Sequence, residues 1–427
     1  MRHRLSLVPA LLIAGAIQSV AFAAPPPADG PGSDPATPRL ALPQAIGLAL
    51  QRQPRLEAAS ARADAAREQA AAAGRLPDPQ LVAGFGNLSV DDPNPYRDDA
   101  ERMAMTSLGL QQAFPDAEKR RQQRQQAEAE VRIRQARVEL ERLQTARDAG
   151  MAWADVWEAE RAQHLLTTLV DAFDTQLRSR EIDLRSNLGQ QARVHDAEVK
   201  QALARDRLHQ WQQRERSARA RLQRWIGEPA AGATPDTAPE LAPAPDPDAA
   251  DRQLEQHPLL TVSQRQAERA TAELALARAD YRPDWRVQLS YGYRQPYDDL
   301  LSLQFGVDLP LFTRNRQDRR LSAAALNQQA AEADTADHRR ALLEALHSAY
   351  ADWQVTSQRI VDYDRTLLPA AQARSEAALR SYRAGVGAFD AVLTARQDLL
   401  DLELLRLNLG AERIRARLQI RYLLSGE

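Results

Sequence analysis

Strict alternation of apolar and polar residues sets one stretch apart, from Tyr281 to Phe312, in a chain whose other patterns are helical. Period two is typical of a β-strand whose two faces differ. Two runs within this stretch alternate, and we predict that they pair as an amphipathic hairpin over about 284–312. One face of this hairpin would carry Val287, Leu289, Tyr291, Leu303, Phe305 and Val307.

A weaker copy of the pattern lies upstream, where Leu81, Ala83 and Phe85 occupy every second position. We predict a second hairpin there, over about 79–114. Strands of about ten residues with one apolar face suit a tilted crossing of an outer membrane. Edge hairpins of a soluble sheet are the alternative, and the alternation alone leaves both open. Four strands cannot close a barrel, so the membrane interpretation requires several copies of the chain.

The first residues are typical of an export signal. Arg2 and Arg4 precede an apolar run from Leu5 to Val20, and Ala21-Phe22-Ala23 supplies the small residues of a cleavage site. We therefore predict a signal peptide over residues 1–23. A membrane-spanning anchor is the alternative, but the run is short for a bilayer. No later apolar stretch is long enough for a membrane helix, so we expect any membrane insertion to use strands.

Composition excludes several classes of function. The absence of cysteine excludes disulfides, thiolate metal sites and a lipid-anchored cysteine. The 58 acidic residues nearly balance the 56 lysines and arginines, so bulk charge gives no reason to expect nucleic acid as a partner. The histidines lack the spacing of metal ligands, and the sequence has no nucleophile elbow or phosphate-binding loop. We expect no enzymatic activity, no cofactor and no metal site.

Prolines collect in two segments that we expect to be extended or disordered. One is the N-terminal segment 24–42, and the other is the linker 228–250. The linker divides the chain into two predicted repeats, 43–227 and 251–427.

The two repeats are copies of one unit. Trp157 and Gly189 match Trp353 and Gly385 with identical separation, as a tandem duplication would produce. The pattern of each repeat predicts a helix, a β-hairpin, a very long helix, a glycine turn and a further helix, in that order. In the first repeat, the long helix would run from Asp116 to Leu188, which is about 105 Å at 1.5 Å per residue. An elongated helical pillar with hairpins at one end fits these lengths.

Apolar residues on the long helices recur in alternating steps of four and three, which is the spacing of coiled-coil seams. One such stripe consists of Leu342, Leu346, Ala349, Trp353, Thr356, Ile360, Tyr363 and Leu367. We expect these residues to pack against neighbouring helices while the opposite faces stay charged.

The residues around the second glycine turn resemble a motif of the TolC-type outer-membrane efflux proteins. The motif is Tyr382-Arg383-Ala384-Gly385-Val386-Gly387, and Arg185-Ser186-Asn187-Leu188-Gly189 is its weaker counterpart. The resemblance implies a mainly α fold with membrane β-strands, located in the outer membrane of a Gram-negative bacterium. It implies a homotrimer with a twelve-stranded β-barrel, continued by a long α-helical barrel in the periplasm.

The resemblance also implies partners. These are a periplasmic adaptor protein, an inner-membrane pump of the resistance-nodulation-division type and outer-membrane lipid, and the chain would passively conduct the pump's substrates to the exterior. The sequence of the turn motif is most similar to that of the subgroup that exports heavy-metal cations. A type I secretion exit duct is one alternative. A periplasmic coiled-coil adaptor or scaffold is another, but it would not need two hairpins with apolar faces.

The two glycine turns are the predicted docking sites for the adaptor. Glycine itself is explained by the left-handed backbone of a tight turn, whereas apolar residues at an exposed tip are typical of a contact with a partner. The residues of the two turns are Asn187, Leu188, Gly189 and Gln190, and Ala384, Gly385, Val386 and Gly387.

A second set of residues is predicted to line the lumen or gate of the tube. Drug-exporting members of the family carry aspartates six and nine residues beyond the second turn glycine, where this chain has Ala391 and Thr394. Acidic residues nearby recur on one helix face, and a threefold axis would triple each into a ring that favours cations. A merely solvated face is the alternative. The candidates are His195, Asp390, Thr394, Asp398 and Asp401.

Overall fold

The structure, a computed structural model, describes most of the chain beyond residue 38. The described ranges are 39–86, 104–186, 191–228, 234–235, 238–239, 243–244, 246–294 and 297–425. The predicted signal peptide, the first glycine turn and parts of both proline-rich segments lie outside the described residues.

Helices account for most of the described residues. Their bounds are α1 Leu42–Arg52, α2 Pro54–Ala72, α3 Ala117–Arg185, α4 Gln191–Ile226, α5 Pro247–Leu254, α6 Pro258–Ala279, α7 Gln317–Asp362, α8 Leu368–Arg383 and α9 Phe389–Leu423. The strands are β1 Arg39–Leu40, β2 Gln80–Gly86, β3 Met105–Phe114, β4 Thr234–Pro235, β5 Asp284–Tyr293 and β6 Leu300–Asp308. No helix within the described residues unites the length and the apolar character that crossing a membrane demands.

The order of elements repeats, as the tandem duplication predicts. Helix α2, hairpin β2–β3 and helices α3 and α4 have their counterparts in α6, hairpin β5–β6, the pair α7–α8 and α9. The long helix α3 begins where the sequence predicts, because the Asp116 carboxylate accepts a hydrogen bond from the Glu118 backbone N–H at 2.9 Å. Its 69 residues extend about 104 Å.

The long helix of the second repeat differs from its copy. A π turn over Tyr363–Leu367 separates α7 from α8, directly before Pro369, whose ring lacks an N–H and crowds the preceding turn. The predicted seam is buried at Leu346 and Ile360, but Leu367, the last residue of the π turn, is 40% exposed.

The two hairpins join into one antiparallel sheet in the order β2-β3-β5-β6. The second hairpin is shorter than the predicted 284–312, because β6 ends at Asp308. Pro310 follows and has no N–H to donate to a neighbouring strand. The apolar residues beyond β6 are exposed, with Phe312 at 90%.

The proline-rich linker is not extended throughout. Its strand β4 pairs in parallel with β1, with Leu40 opposite Pro235. Its last residues belong to α5, which starts at Pro247, a residue whose fixed φ and missing N–H suit the first helical turn. Helix α5 forms there because it buries an apolar side, and Ala250 and Leu254 are fully buried.

The two largest apolar cores of the described residues hold the long helices side by side. Trp153 and Leu222 belong to the first core, among α1, α3, α4 and α9, and the Trp153 indole N–H donates to the Leu40 carbonyl at 2.8 Å. Leu254 and Leu346 belong to the second, among α5, α6, α7 and α9. Helix α3 contacts α4, α6 and α9, and α7 contacts α6 and α9. Towards the glycine turns the row of helices is α4, α3, α9 and α7, and towards the sheet α6 lies between α3 and α7 in place of α9.

A buried histidine begins α6. His257 is 0% exposed, and its Nδ1 accepts a hydrogen bond from the Leu259 backbone N–H at 3.1 Å. The Tyr422 ring packs edge-on against the imidazole. Burial disfavours the charged imidazolium and lowers the pKa of His257 to about 4. His257 is therefore a neutral helix cap at pH 7.

Candidate channel surfaces and turn sites

One face of the four-stranded sheet, which we name the apolar face, is apolar across every strand. The middle row runs from Leu81 through Leu110 and Leu289 to Leu303, one residue on each strand. On β5 and β6, the face is formed by Trp285, Val287, Leu289, Tyr291 and Tyr293, and by Leu301, Leu303, Phe305 and Val307. These residues include all six that the alternation placed on one face.

The apolar face is exposed in the single chain. Phe305 is 70% exposed, Leu303 is 58% exposed and Tyr291 is 50% exposed. Soluble monomers rarely leave a continuous apolar surface of this kind in water, so it marks a contact with lipid or protein.

The opposite face, which we name the polar face, carries a row of amides. Gln80, Gln111, Gln288 and Gln304 lie directly opposite one another, one on each strand. A row of Val82, Gly109, Ser290 and Ser302 follows. The amide row was missed from the sequence, because it depends on how β3 pairs with β5 and alternation within one hairpin does not determine that register.

Towards the helices, the polar face becomes charged. Arg286 pairs with Asp308 across β5 and β6, and its side chain lies over Gly306. A Cβ at Gly306 would lie 2.7 Å from Arg286 Cγ, so a larger residue at position 306 would displace the Arg286 side chain. Asp284 accepts hydrogen bonds from the Asp116 backbone N–H and from Lys119 Nζ, both at 2.9 Å. These contacts fix the sheet to the start of α3.

The second glycine turn, Ala384–Gly387, has a fixed backbone. Gly385 has φ +74°, a left-handed conformation that glycine adopts without a Cβ clash. The backbone N–H groups of Val386 and Gly387 both donate to the Ser381 carbonyl, at 3.1 and 3.0 Å. Val386 is 87% exposed. The turn therefore holds an apolar side chain outward on a rigid tip.

The first glycine turn, Asn187 to Gln190, lies outside the described residues. The last turns of α3 lead into it, and Ile182 there is 62% exposed. Exposed apolar side chains are therefore present beside both turns.

Asp390, the first of the candidate gate residues, bridges the two repeats. Its carboxylate accepts hydrogen bonds from Arg180 and from Gln176 Nε2, both on α3. Thr394 donates its hydroxyl to the Asp390 carbonyl at 2.9 Å. Partial burial alone would raise the pKa of Asp390, but the hydrogen bond and charge of Arg180 outweigh it, so the pKa lies below its ordinary value.

The other charged candidates contact different residues from those that contact Asp390. Asp398 pairs with Arg374 on α8 at 2.8 Å, and Asp401 pairs with Arg207 on α4 at 3.0 Å. His195 contacts Glu198 on its own helix. The three aspartates share one helix but pair with arginines from three others. Those arginines were missed from the sequence, because the pairing depends on which helices are neighbours.

A further ionic contact joins the repeats away from the turns. Arg415 on α9 donates to Asp155 at 2.8 Å and to Glu158, both on α3. Glu158 is 7% exposed, and breaking a buried pair by removing one partner is strongly destabilising. Arg415 therefore helps to hold α9 against α3. No cluster of three or more histidine and carboxylate residues that could hold a metal ion occurs in the described ranges.

The sequence matches one family model over most of its length. The model describes the outer membrane efflux proteins, and it matches residues 45–228 and 249–426. No curated protein sequence matches the chain.

Solved structures with the same fold come from several bacteria. A membrane protein from Pseudomonas aeruginosa is 16% identical with a TM-score of 0.76, and the match covers 90% of each chain. The outer membrane protein VceC from Vibrio cholerae is 21% identical with a TM-score of 0.73, covering 90% of this chain and 96% of VceC. The outer membrane channel CmeC from Campylobacter jejuni is 12% identical with a TM-score of 0.78, covering 90% of this chain and 85% of CmeC.

Proposed function

The chain belongs to the outer membrane efflux protein family, and from this premise we propose how its copies build an exit channel. It is an efflux protein of the outer membrane. We propose that three copies set their sheets side by side as a closed twelve-stranded barrel, while their helices continue the channel into the periplasm. Substrates pass through passively, without a catalytic step.

The two-faced sheet is the observation that carries this proposal. A membrane strand needs an apolar side towards lipid and can have a polar side towards a water-filled lumen. The row from Leu81 to Leu303 meets the first requirement, and the glutamine row meets the second. In the described residues, β2 and β6 are the outer strands of the sheet. An open sheet edge is not tolerated in lipid, which supports closure by further copies.

We propose that a periplasmic adaptor docks on the two glycine turns and connects the channel to an inner-membrane pump. Support comes from Val386, which is 87% exposed on a backbone held by Gly385. An exposed apolar residue on a rigid tip has little ordering cost to overcome when it binds. Heavy-metal cations are the proposed substrates, on the similarity of the turn motif to the subgroup that exports them. An adaptor or scaffold role is disfavoured because it leaves the apolar face of the sheet without a purpose.

The double variant Leu188→Asp with Val386→Asp tests the docking. Burying one such side chain contributes about 1.5–3 kcal/mol, so we expect crosslinking to the adaptor to fall more than tenfold and export to stop. The unheated trimer should persist in the outer membrane.

The matched control is Val386→Thr, which keeps the β-branched shape without adding a charge. It should retain most of the crosslinking. Full export and crosslinking by the double aspartate variant would contradict the assignment of the two turns as docking sites.

A further inference from the structure

A cavity lies beside the contact between the two repeats, away from both the sheet and the glycine turns. Its volume is about 340 Å³, which is within the size range of small-molecule sites in proteins. Residues of α1, the middle of α3, the start of α6 and the end of α9 line it. The described lining residues include none from α4 or α7, which end the row of helices towards the glycine turns.

Part of the lining is apolar and comes from both repeats. Ile46 on α1 and Leu418 on α9 are buried, and Leu50 and Leu143 lie beside them in the lining. A hydrocarbon group placed against these side chains would leave water, which favours binding.

The charged part of the described lining is positive on balance. It consists of Arg142, Arg147, Arg421 and Glu139. Arg142 Nη1 lies 3.9 Å from the Glu139 carboxylate, which is too far for a hydrogen bond. The Arg142 guanidinium can therefore donate to another anion.

Arg147 is held in place and keeps donors for a second anion. Its guanidinium carbon lies 4.3 Å from the centre of the Tyr422 ring, which is a cation–π contact. Its Nε donates to Asp148 Oδ1 at 2.8 Å, and its Nη2 lies 2.8 Å from the same oxygen. A guanidinium has five N–H donors in a planar fork that suits a carboxylate, and these two contacts leave those of Nη1 unused.

The duplication shows that the repeated unit does not require arginines at these positions. The matching tryptophans of the two repeats are 196 positions apart. At that separation, Arg147 corresponds to Leu343, which packs against the second apolar core. Arg421 corresponds to Trp225, which belongs to the first apolar core. Positions that are apolar and packed in one repeat are therefore charged and line a cavity in the other.

We propose that this cavity binds a small organic carboxylate that has an apolar body. The carboxylate pairs with Arg142 and Arg147. The apolar body lies against Leu143 and Leu418. These contacts join α3 to α9, so the bound molecule braces the two repeats against each other. The site consists of residues of one chain and does not depend on the proposed assembly of several copies.

Distance from the sheet distinguishes a soluble carboxylate from a lipid headgroup. Glu139, the first lining residue on α3, comes 22 residues after Ala117, where α3 begins beside the sheet. That is about 33 Å along the helix, whereas the headgroup layer on one side of a bilayer is about 5–8 Å thick. With the sheet in the membrane, lipid headgroups would not reach the cavity, so the ligand is a soluble molecule.

Binding of 2-naphthoate, a carboxylate with a fused-ring body, tests the site. The sample is purified full-length protein in phosphatidylcholine nanodiscs, and empty nanodiscs give the background uptake into lipid. Equilibrium dialysis followed by chromatography measures the bound amount. We expect saturable binding of one molecule per chain, and only unsaturable uptake by the empty nanodiscs.

Two variants, Arg147→Met and Arg142→Met, each remove one guanidinium and keep an unbranched side chain. Hydrogen bonds to charged groups are among the stronger ones, so each variant should weaken binding by at least about tenfold. The matched control is Arg214→Met. Arg214 also lies over an aromatic ring, 4.5 Å from the centre of that of Trp211, but it does not line the cavity, so the affinity should be unchanged.

Two analogues separate the charge of the ligand from its body. Acetate has the carboxylate without the rings, and 2-naphthamide has the rings without the charge. Each should need a concentration at least about tenfold higher than that of 2-naphthoate to occupy the site.

No saturable binding, or equal binding by the wild-type chain and both arginine variants, would overturn the site. Equal affinity for 2-naphthamide and 2-naphthoate would overturn the carboxylate as the group that is recognised. Either result would leave the trimer and its channel current unaffected, so failure of this proposal is distinguishable from failure of the proposed function.

Discussion

Neighbouring residues on β6 offer a sharp test of the two faces of the sheet. Leu303 and Gln304 are adjacent in sequence, lie in the middle of the strand and point to opposite faces. Leu303→Arg places a guanidinium on the apolar face, and Gln304→Arg places the same group beside the glutamine row. The two variants have the same added charge and nearly the same position along the strand, so they differ in the face alone.

The expected magnitude follows from the cost of a charge in lipid. An arginine on the lipid side of a membrane strand costs about 2–4 kcal/mol near the bilayer midplane. With the proposed three copies per channel, this cost would rise to about 6–12 kcal/mol, which is comparable with the whole stability of a typical domain. Leu303 is 58% exposed in the single chain, so no packing inside the chain would hide the charge. Arginine at position 304 would remain in lumen water.

The assay is the amount of unheated trimer in the outer-membrane fraction, relative to the total expressed chain. We expect Leu303→Arg to reduce the amount of trimer at least tenfold. The amount of trimer formed by Gln304→Arg should stay within about twofold of that formed by the wild-type chain. Equal loss from both variants, or greater loss from Gln304→Arg, would refute the assignment of lipid and lumen to the two faces.

Two further predictions concern titratable groups in the helices. His257 binds a proton near pH 6.5 in the unfolded chain but only near pH 4 when folded, so its stabilising effect is present above pH 6.5 and is lost as the pH falls towards 4. We expect a loss of about 2 kcal/mol between pH 7 and pH 5 in unfolding experiments, which His257→Asn should remove and the exposed control His209→Asn should not. Single-channel recordings test the cation proposal, because neutralising the α9 carboxylates should lower the preference for cations if they face the lumen, and an unchanged preference would contradict it. The variants are Asp390→Asn, Asp398→Asn and Asp401→Asn.

The faces of the strands could be predicted from the sequence because side-chain direction in a strand depends only on parity. Leu303 and Gln304 are adjacent in sequence, so they lie on opposite faces of the sheet whichever residues of the neighbouring strand they pair with. The start of α3 could also be predicted, since the Asp116 side chain accepts a hydrogen bond from the backbone N–H of Glu118, only two residues later. Local rules of this kind need no knowledge of the neighbouring elements.

Other features depend on neighbours and could not be predicted. The glutamine row requires the register between β3 and β5, which come from different repeats. The pairing of Asp390 with Arg180 requires α9 to lie beside α3. The predicted seam is interrupted by the π turn that contains Leu367. A seven-residue pattern carries no information about where a helix widens, so this interruption could not be predicted.

Current through a planar lipid bilayer tests the central claim most directly, that copies of this chain form a water-filled channel through a membrane. The sample is purified full-length protein that migrates as a trimer when it is not heated. We predict discrete current steps of one size after its addition, and none after the same sample has been heated to separated chains. A trimeric preparation that inserts into the bilayer but passes no current would contradict the account.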